Sequence, residues 1–204
     1  MIQLVTADDR PQFDRQLKQM FRERKRVFVD RLGWEVPVVD GEFEIDQFDT
    51  ADAVYFLALD INGAQLGSCR LLPTTGPHLM SEVFPHLCER GVPRGADTWE
   101  ITRMCTTPAA GPMPKPVRQE LMRAMVEFAL LYGIKRFTLV SHLAYLSAIL
   151  AGGLDTEPLG LPQVHGDQTV GALAINVTPE SLAYLRQRSG RAQPVLRWEV
   201  RDAA

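Results

Sequence analysis

Two apolar runs, AVYFLALDI at 53–61 and AQLGSCRLLP at 64–73, are separated by Asn62-Gly63 alone. Asn and Gly both tolerate positive φ, which a type I′ turn requires, so the runs are expected to pair as an antiparallel hairpin. In that register Arg70 lies opposite Tyr55. Around the hairpin, strand-like and helix-like stretches alternate, the pattern of an α/β or α+β sheet with helices on its faces.

Upstream, residues 2–6 read as a short strand. Residues 10–32 read as a long helix whose Phe13, Leu17, Met20, Phe21, Val27 and Phe28 fall on one stripe at 100° per residue. Residues 33–52 carry Pro, Gly and many acids without a clear period and read as a loop. Downstream, TWEITRMCT (98–106) reads as a strand, and a helix is expected from about Pro116 to a stop at Gly133, with Leu121, Met125, Phe128, Ala129 and Tyr132 at helical spacing. A strand at 135–141, a helix at 142–152 and a strand at 170–177 follow. Thr178-Pro179-Glu180 opens a helix ending near Gly190, and 194–200 reads as a last strand.

The 204 residues are 46% hydrophobic and 23% charged, which suits one globular domain spanning 1–204. Lys and Arg total 22 against 25 Asp and Glu. That balance argues against nucleic acid or an anionic membrane as partner. The three cysteines, Cys69, Cys88 and Cys105, form no C-x-x-C, so neither a disulfide framework nor a thiolate zinc site is expected and a reducing cytoplasm fits. The four histidines make no metal spacing. No basic n-region with an apolar h-region and no run of ~20 apolar residues is present.

Charges interrupt the apolar pattern at four places. Arg24 sits in the middle of the helix stripe, between Met20 and Phe28. Either its stem covers the core while its head reaches water, or it holds a carboxylate. Asp46 and Asp49 flank Phe48 in the acidic loop, without the spacing of a calcium loop. Arg70 lies inside an apolar strand. Glu100 and Arg103 lie between Trp99, Ile101 and Met104. Strict alternation sends these two to opposite faces, and they share one only if the strand bulges or ends there. Three arginines and three acids in apolar elements are costly for stability alone, so together they point to a site for a charged, zwitterionic ligand.

The same residues resemble the acyl-homoserine lactone synthases, the LuxI-type autoinducer synthases. The matching pattern is Arg24, Phe28 and Trp34, then Asp46-Gln47-Phe48-Asp49, then the run from Cys69 to Gly76 (C-R-L-L-P-T-T-G), then Ser81-Glu82-Val83-Phe84-Pro85, then Trp99-Glu100-Ile101-Thr102-Arg103. The resemblance implies a single three-layer α-β-α sandwich with a mixed sheet, similar to the GCN5-type N-acetyltransferases. It implies S-adenosylmethionine and an acyl thioester as substrates, an N-acyl-homoserine lactone, methylthioadenosine and a free thiol as products, and no cofactor. The N-terminal half would hold S-adenosylmethionine and the C-terminal half the acyl chain. No further protein partner is required.

Roles follow on that resemblance. Glu100 is expected as the base that deprotonates the substrate amine, a backbone N–H near 103–106 as an oxyanion donor, and Arg70, Asp46 and Asp49 as further catalytic-site groups. Arg24 and Arg103 are expected to hold the substrate carboxylate, with Phe28 and Trp34 as aromatic walls. Phe84, Met125, Ser141, Leu143 and Leu146 are expected along the acyl chain. Acyl-coenzyme A is favoured over acyl-carrier protein, because no Lys or Arg occurs from Phe137 to Leu185 and the protein carrier is strongly acidic. Against this reading stand an ordinary N-acyltransferase of the same fold, disfavoured by the missing pyrophosphate-gripping turn, and a non-catalytic S-adenosylmethionine- or acyl-binding protein.

Overall fold

The computed structural model describes residues 1–111 and 115–197. In chain order its elements are β1 (Ile2–Val5), α1 (Asp14–Arg24), β2 (Val38–Val39), β3 (Phe43–Glu44), β4 (Val54–Leu59), β5 (Gln65–Pro73), α2 (Leu79–Glu82), β6 (Thr98–Thr106), α3 (Lys115–Tyr132), β7 (Arg136–His142), α4 (Leu143–Leu150), β8 (Thr156–Pro158), β9 (Gln163–His165), β10 (Gln168–Asn176), α5 (Pro179–Ser189) and β11 (Leu196–Arg197). The long elements fall where the apolar periodicity places them. The expected last strand is seen as β11; the rest of 194–200 beyond Arg197 lies outside the described residues.

Four local readings change. The β4–β5 hairpin closes with three residues rather than two: Gly63 N donates to Asp60 O at 3.2 Å and Asp60 N to Ala64 O at 2.9 Å. The Asp60 carboxylate accepts from Asn62 N and Ala64 N, each at 2.8 Å. Those bonds favour the wider turn, in which Gly63 takes the positive φ of 79°. The single helix over 10–32 starts only at Asp14, and its α geometry ends at Arg24. Lys25–Arg31 winds more widely, with Leu32 N donating to Val27 O at 3.1 Å, a geometry often found at functional sites. The acidic loop contains the β2–β3 pair, joined through Asp40 and Gly41 at φ 53° and 69°. Tyr132, expected on the buried stripe of α3, is 66% exposed.

The chain forms two compact units. The first comprises Met1–Arg70, Arg103–Met125 and the segment from Gln193. In it β1 pairs antiparallel with β4, Ile2 facing Ala58, and parallel with β11, Ile2 facing Leu196. β5 and β6 run close at Gly67, where an added Cβ would stand 2.7 Å from Cys105 O; this glycine is required by the approach of two backbones. Val27, Phe28 and Cys105 form a buried cluster, with Leu32 and Trp34 packed on it.

The second unit comprises Leu71–Thr102 and Val126–Ala192. β6 pairs parallel with β7, from Thr98↔Arg136 to Ile101↔Leu139, and β7 pairs antiparallel with β10 over seven residues. β8 and β9 add antiparallel to β10. Met80, Leu87, Cys88, Val170 and Ala172 form its buried cluster, with Phe84 and Val140 packed against it. Parallel and antiparallel pairings thus coexist in a mixed sheet with flanking helices, as the α/β reading required.

Candidate active site

The first unit carries a closed ring of six buried charged groups. Arg24 Nη1 and Nη2 donate to the two oxygens of Asp49 at 2.8 and 2.9 Å, and its Nε donates to Glu44 Oε2 at 2.5 Å. Glu44 Oε1 accepts from Arg103 Nε at 3.1 Å and Nη2 at 2.9 Å. Arg103 Nη2 lies 2.8 Å from Asp46 Oδ2. Asp46 is held two-pronged by Arg70, at 2.6 and 3.0 Å. Arg70 Nη1 returns to Asp49 Oδ1 at 2.8 Å. Cations and anions alternate around the circuit, each touching two of the other sign, and all six lie within a few per cent of full side-chain burial.

Several elements place these groups. Arg24 comes from the end of α1, Glu44 from β3, Asp46 and Asp49 from the following turn, Arg70 from β5 and Arg103 from β6. The turn is fixed internally: Asp49 Oδ2 accepts from Asp46 N, and Asp46 Oδ1 accepts from Phe48 N, each at 2.9 Å. Tyr55 OH donates to Asp49 Oδ1 at 2.9 Å. Tyr55 and Arg70 therefore meet on one carboxylate rather than as a simple facing pair.

Arg103 sits at φ 52°, the left-handed region, which costs a side-chain-bearing residue about 1–2 kcal/mol. The bend breaks the strict alternation of β6 at Arg103 itself and turns its side chain to Glu44 and Asp46. Each guanidinium also lies over a different ring: Arg24 over Phe21 at 5.2 Å, Arg70 over Phe48 at 6.0 Å, Arg103 over Phe28 at 5.5 Å. Phe28 in turn stacks on Trp34 with centroids 4.8 Å apart and planes 22° from parallel. The wide turn after Arg24 delivers both partners of that stack, since Trp34 N donates to Phe28 O at 2.8 Å.

Electrostatics follow from burial and pairing. Burial opposes the charged form of Arg24, but Asp49 and Glu44 more than offset it and hold the guanidinium charged well beyond the ordinary range. Burial likewise works against ionised Asp49, and Arg24 and Arg70 overcome it, so its carboxyl is kept well below the usual carboxylate range. Burial, then the Asp49 charge, push the Tyr55 phenol up.

Two expectations for this set are corrected. Arg24 is 1% exposed, so its head does not reach water; the phase that put it on the apolar stripe points it at Glu44 and Asp49. The third acid of the network is Glu44, not Glu100. The signal for Glu44 was present in Asp40-Gly41, a hairpin dipeptide between short apolar stretches.

Glu100 is buried in the second unit, where its Oε1 accepts from Met80 N at 2.9 Å. The expected acyl-chain residues separate. Phe84 packs on the buried cluster around Met80 and Cys88. Leu146 is 3% exposed and reaches Gly171, where an added Cβ would lie 2.9 Å from its Cδ1. Ser141 is half-buried and registered with Gly171 across β7 and β10. Leu143 is 45% exposed. Met125 is fully buried in the first unit, its sulfur 3.3 Å from Cys69 Sγ. Among the described residues no group of His, Cys, Asp and Glu is arranged to hold a metal.

Residues 10–185 match the family model for autoinducer synthases. The chain belongs to that family. An isovaleryl-homoserine lactone synthase of Bradyrhizobium diazoefficiens is 33% identical over 191 residues, covering 93% of this chain and 86% of that one. An acyl-homoserine-lactone synthase of Ralstonia nicotianae is 33% identical over 168 residues, covering 79% and 82%. Among solved structures, the CoA-dependent acyl-homoserine lactone synthase BjaI, held with SAM and isopentyl-CoA, superposes with a TM-score of 0.91 at 31% identity, over 100% of this chain and 95% of that one. The acyl-homoserine lactone synthase LasI gives 0.80 at 28%, over 92% and 94%. An N-acetyltransferase of Lactobacillus plantarum, at 16% identity and 0.60 over 87% and 99%, shares the fold. This autoinducer synthase is thus an acyltransferase, an acyl-homoserine-lactone synthase on an acetyltransferase-like fold. None of its described helices is long and apolar enough to cross a membrane.

Proposed function

We propose that this autoinducer synthase joins the acyl group of an acyl-coenzyme A to the amine of S-adenosylmethionine and then closes the lactone, with no cofactor. The observation that carries the reading is the alternating ring of Arg24, Glu44, Arg103, Asp46, Arg70 and Asp49 with its Phe28–Trp34 stack. The amine attacks the thioester carbonyl, the carrier thiol leaves, and the substrate carboxylate then displaces methylthioadenosine from its own γ-carbon. Ring closure is intramolecular, so positioning supplies most of what the second step needs. Glu100 takes the amine proton in the first step.

The ring's own role differs from a carboxylate clamp. Nε, Nη1 and Nη2 of Arg24 already donate to Glu44 and Asp49, and Nε and Nη2 of Arg103 to Glu44. The six groups act as a rigid frame that fixes the 44–49 segment and the Arg103 bend around the substrate, and Phe28 and Trp34 wall the adenosine or sulfonium.

The coenzyme A preference rests on the stretch from Phe137 to Leu185, which carries no Lys or Arg and includes α4 with Leu143, Tyr145 and Leu150 exposed. An acidic carrier protein would find no cation there. The relatives described as CoA-dependent favour the same donor. A branched or short acyl group is in keeping with the isovaleryl and isopentyl relatives. The three cysteines are free and buried, in keeping with work in a reducing cytoplasm.

The test is product stoichiometry with purified enzyme, S-adenosylmethionine and isovaleryl-coenzyme A. Acyl-homoserine lactone and methylthioadenosine should appear in equal amounts. Acylated amine without lactone, or no release of methylthioadenosine, would refute the assignment.

A further inference from the structure

Between Arg24 of the ring and Trp34 of the aromatic stack, the chain runs through the wide turn Lys25–Arg31. Lys25 Nζ and Asp30 Oδ1 stand 2.8 Å apart across it, with side chains 29% and 46% exposed. These residues are five apart. In an α-helix that spacing sets them about 140° apart around the axis, where side chains do not meet. In a turn that closes at the fifth residue they come to one side. An α register would offer Lys25 no acid: its neighbours three and four away are Phe21, Arg22, Phe28 and Val29. It would bring Asp30 to Arg26, but Arg26 is already held by Glu23, its Nε donating to Oε2 at 2.8 Å. The charges of this segment therefore satisfy the wide register and leave the α register mispaired.

The wide register also places the aromatic wall. Phe28 lies inside the turn, buried, with the Arg103 guanidinium 5.5 Å over its ring. Leu32 N donates to Val27 O at 3.1 Å, Gly33 N to Val29 O at 3.0 Å and Trp34 N to Phe28 O at 2.8 Å. Gly33 takes φ 67°, and the chain doubles back to lay Trp34 on Phe28. An α register would hand the Phe28 carbonyl to Leu32 N and release Trp34 from it. We infer that Lys25 and Asp30 are positioning residues for S-adenosylmethionine: their ion pair selects the wide turn and so holds the Phe28–Trp34 stack against Arg103. The pair acts through the turn and touches no substrate. This rests on the reading of Phe28 and Trp34 as the wall for the adenosine or sulfonium.

Lys25→Glu turns the attraction into repulsion. With the purified full-length enzyme, KM for S-adenosylmethionine rises at least about threefold, the scale of a partly exposed pair reversed. Its kcat and its KM for isovaleryl-coenzyme A stay within about twofold of wild type, because binding of one substrate alone is weakened. The charge-swapped Lys25→Glu/Asp30→Lys enzyme recovers most of the loss. In fluorotryptophan-labelled enzyme, the fluorine resonance of Trp34, assigned by its loss in Trp34→Phe, moves in Lys25→Glu and returns in the swapped enzyme. An unchanged KM or an unmoved Trp34 resonance in Lys25→Glu, no recovery on swapping, or an equal rise in KM for both substrates would each overturn the inference. Trp34→Ala separates the two readings. If it raises KM for S-adenosylmethionine while Lys25→Glu does not, the role of the pair alone falls. If it leaves that KM unchanged, the wall falls and the role of the pair with it.

Discussion

Arg24 and Asp49 face each other through two parallel hydrogen bonds, at 2.8 and 2.9 Å, with both side chains 1% exposed. Fork-to-fork pairing of this kind fixes orientation as well as charge. It also makes each partner dependent on the other, because a buried ion left alone costs far more than the pair is worth.

Removing one member of the ring should therefore show first in folding. Arg24→Met leaves Glu44 and Asp49 buried with one cation fewer and is expected to cost about 3–5 kcal/mol in urea denaturation. Weaker S-adenosylmethionine binding, read by calorimetry, should accompany that loss. An Arg24→Met protein as stable as wild type would show that the ring carries no structural load.

Glu100 lies outside the ring, so its substitution should separate from that behaviour. Glu100→Gln is expected to lower turnover by about 10²–10⁴-fold with S-adenosylmethionine affinity and denaturation midpoint nearly unchanged. Activity within a few-fold of wild type would remove it from the base role.

The left-handed backbone at Arg103 gives a comparison free of charge effects. Arg103→Ala and Arg103→Gly both delete the guanidinium, but glycine adopts φ 52° without the Cβ penalty. The glycine variant should be more stable than the alanine variant by about 1 kcal/mol. Equal denaturation midpoints would mean the bend relaxes once the side chain is gone.

Acid stability follows from Asp49, whose folded pKa lies below the unfolded value of about 3.9. The unfolded chain then binds the proton more readily. The stability this carboxylate contributes is present above about pH 4 and is lost as pH falls from there toward the folded pKa. Urea midpoints measured from about pH 5 to pH 3 should drop more steeply for wild type than for Asp49→Asn, and parallel slopes would contradict the assignment.

The carrier preference is open to a direct rate comparison. One acyl group supplied on coenzyme A and on acyl-carrier protein should give the higher kcat/KM with coenzyme A. A protein carrier at least about tenfold better, with a rate falling steeply as salt rises, would reverse the choice.

The sequence made most of the scaffold legible because its long elements carry clean periodicity: β6 ends at the residues its pattern predicts, and α5 begins at its Thr178 cap. The ring was legible as a set of misplaced charges, Arg24, Arg70 and Arg103 with Asp46 and Asp49. Its third acid was not, because Glu44 sits on a two-residue strand, too short for alternation to register, whereas Glu100 stands conspicuously in a long one. Hairpin closure at residues 61–63 was misjudged because Asp60 competes for the turn's N–H groups. The acyl-side residues were the least legible, since Met125 and Leu146 have the same apolar signature whether they line a chain or fill a core.

Three guanidinium groups and three carboxylates cancel within a single circuit, so at a distance the ring presents neither sign. A cationic sulfonium substrate is then not drawn in by a long-range field from these residues; it is recognised only on arrival, at contact range. The rate of its encounter with the enzyme should accordingly be nearly indifferent to ionic strength, and discrimination should reside in how slowly the bound molecule leaves.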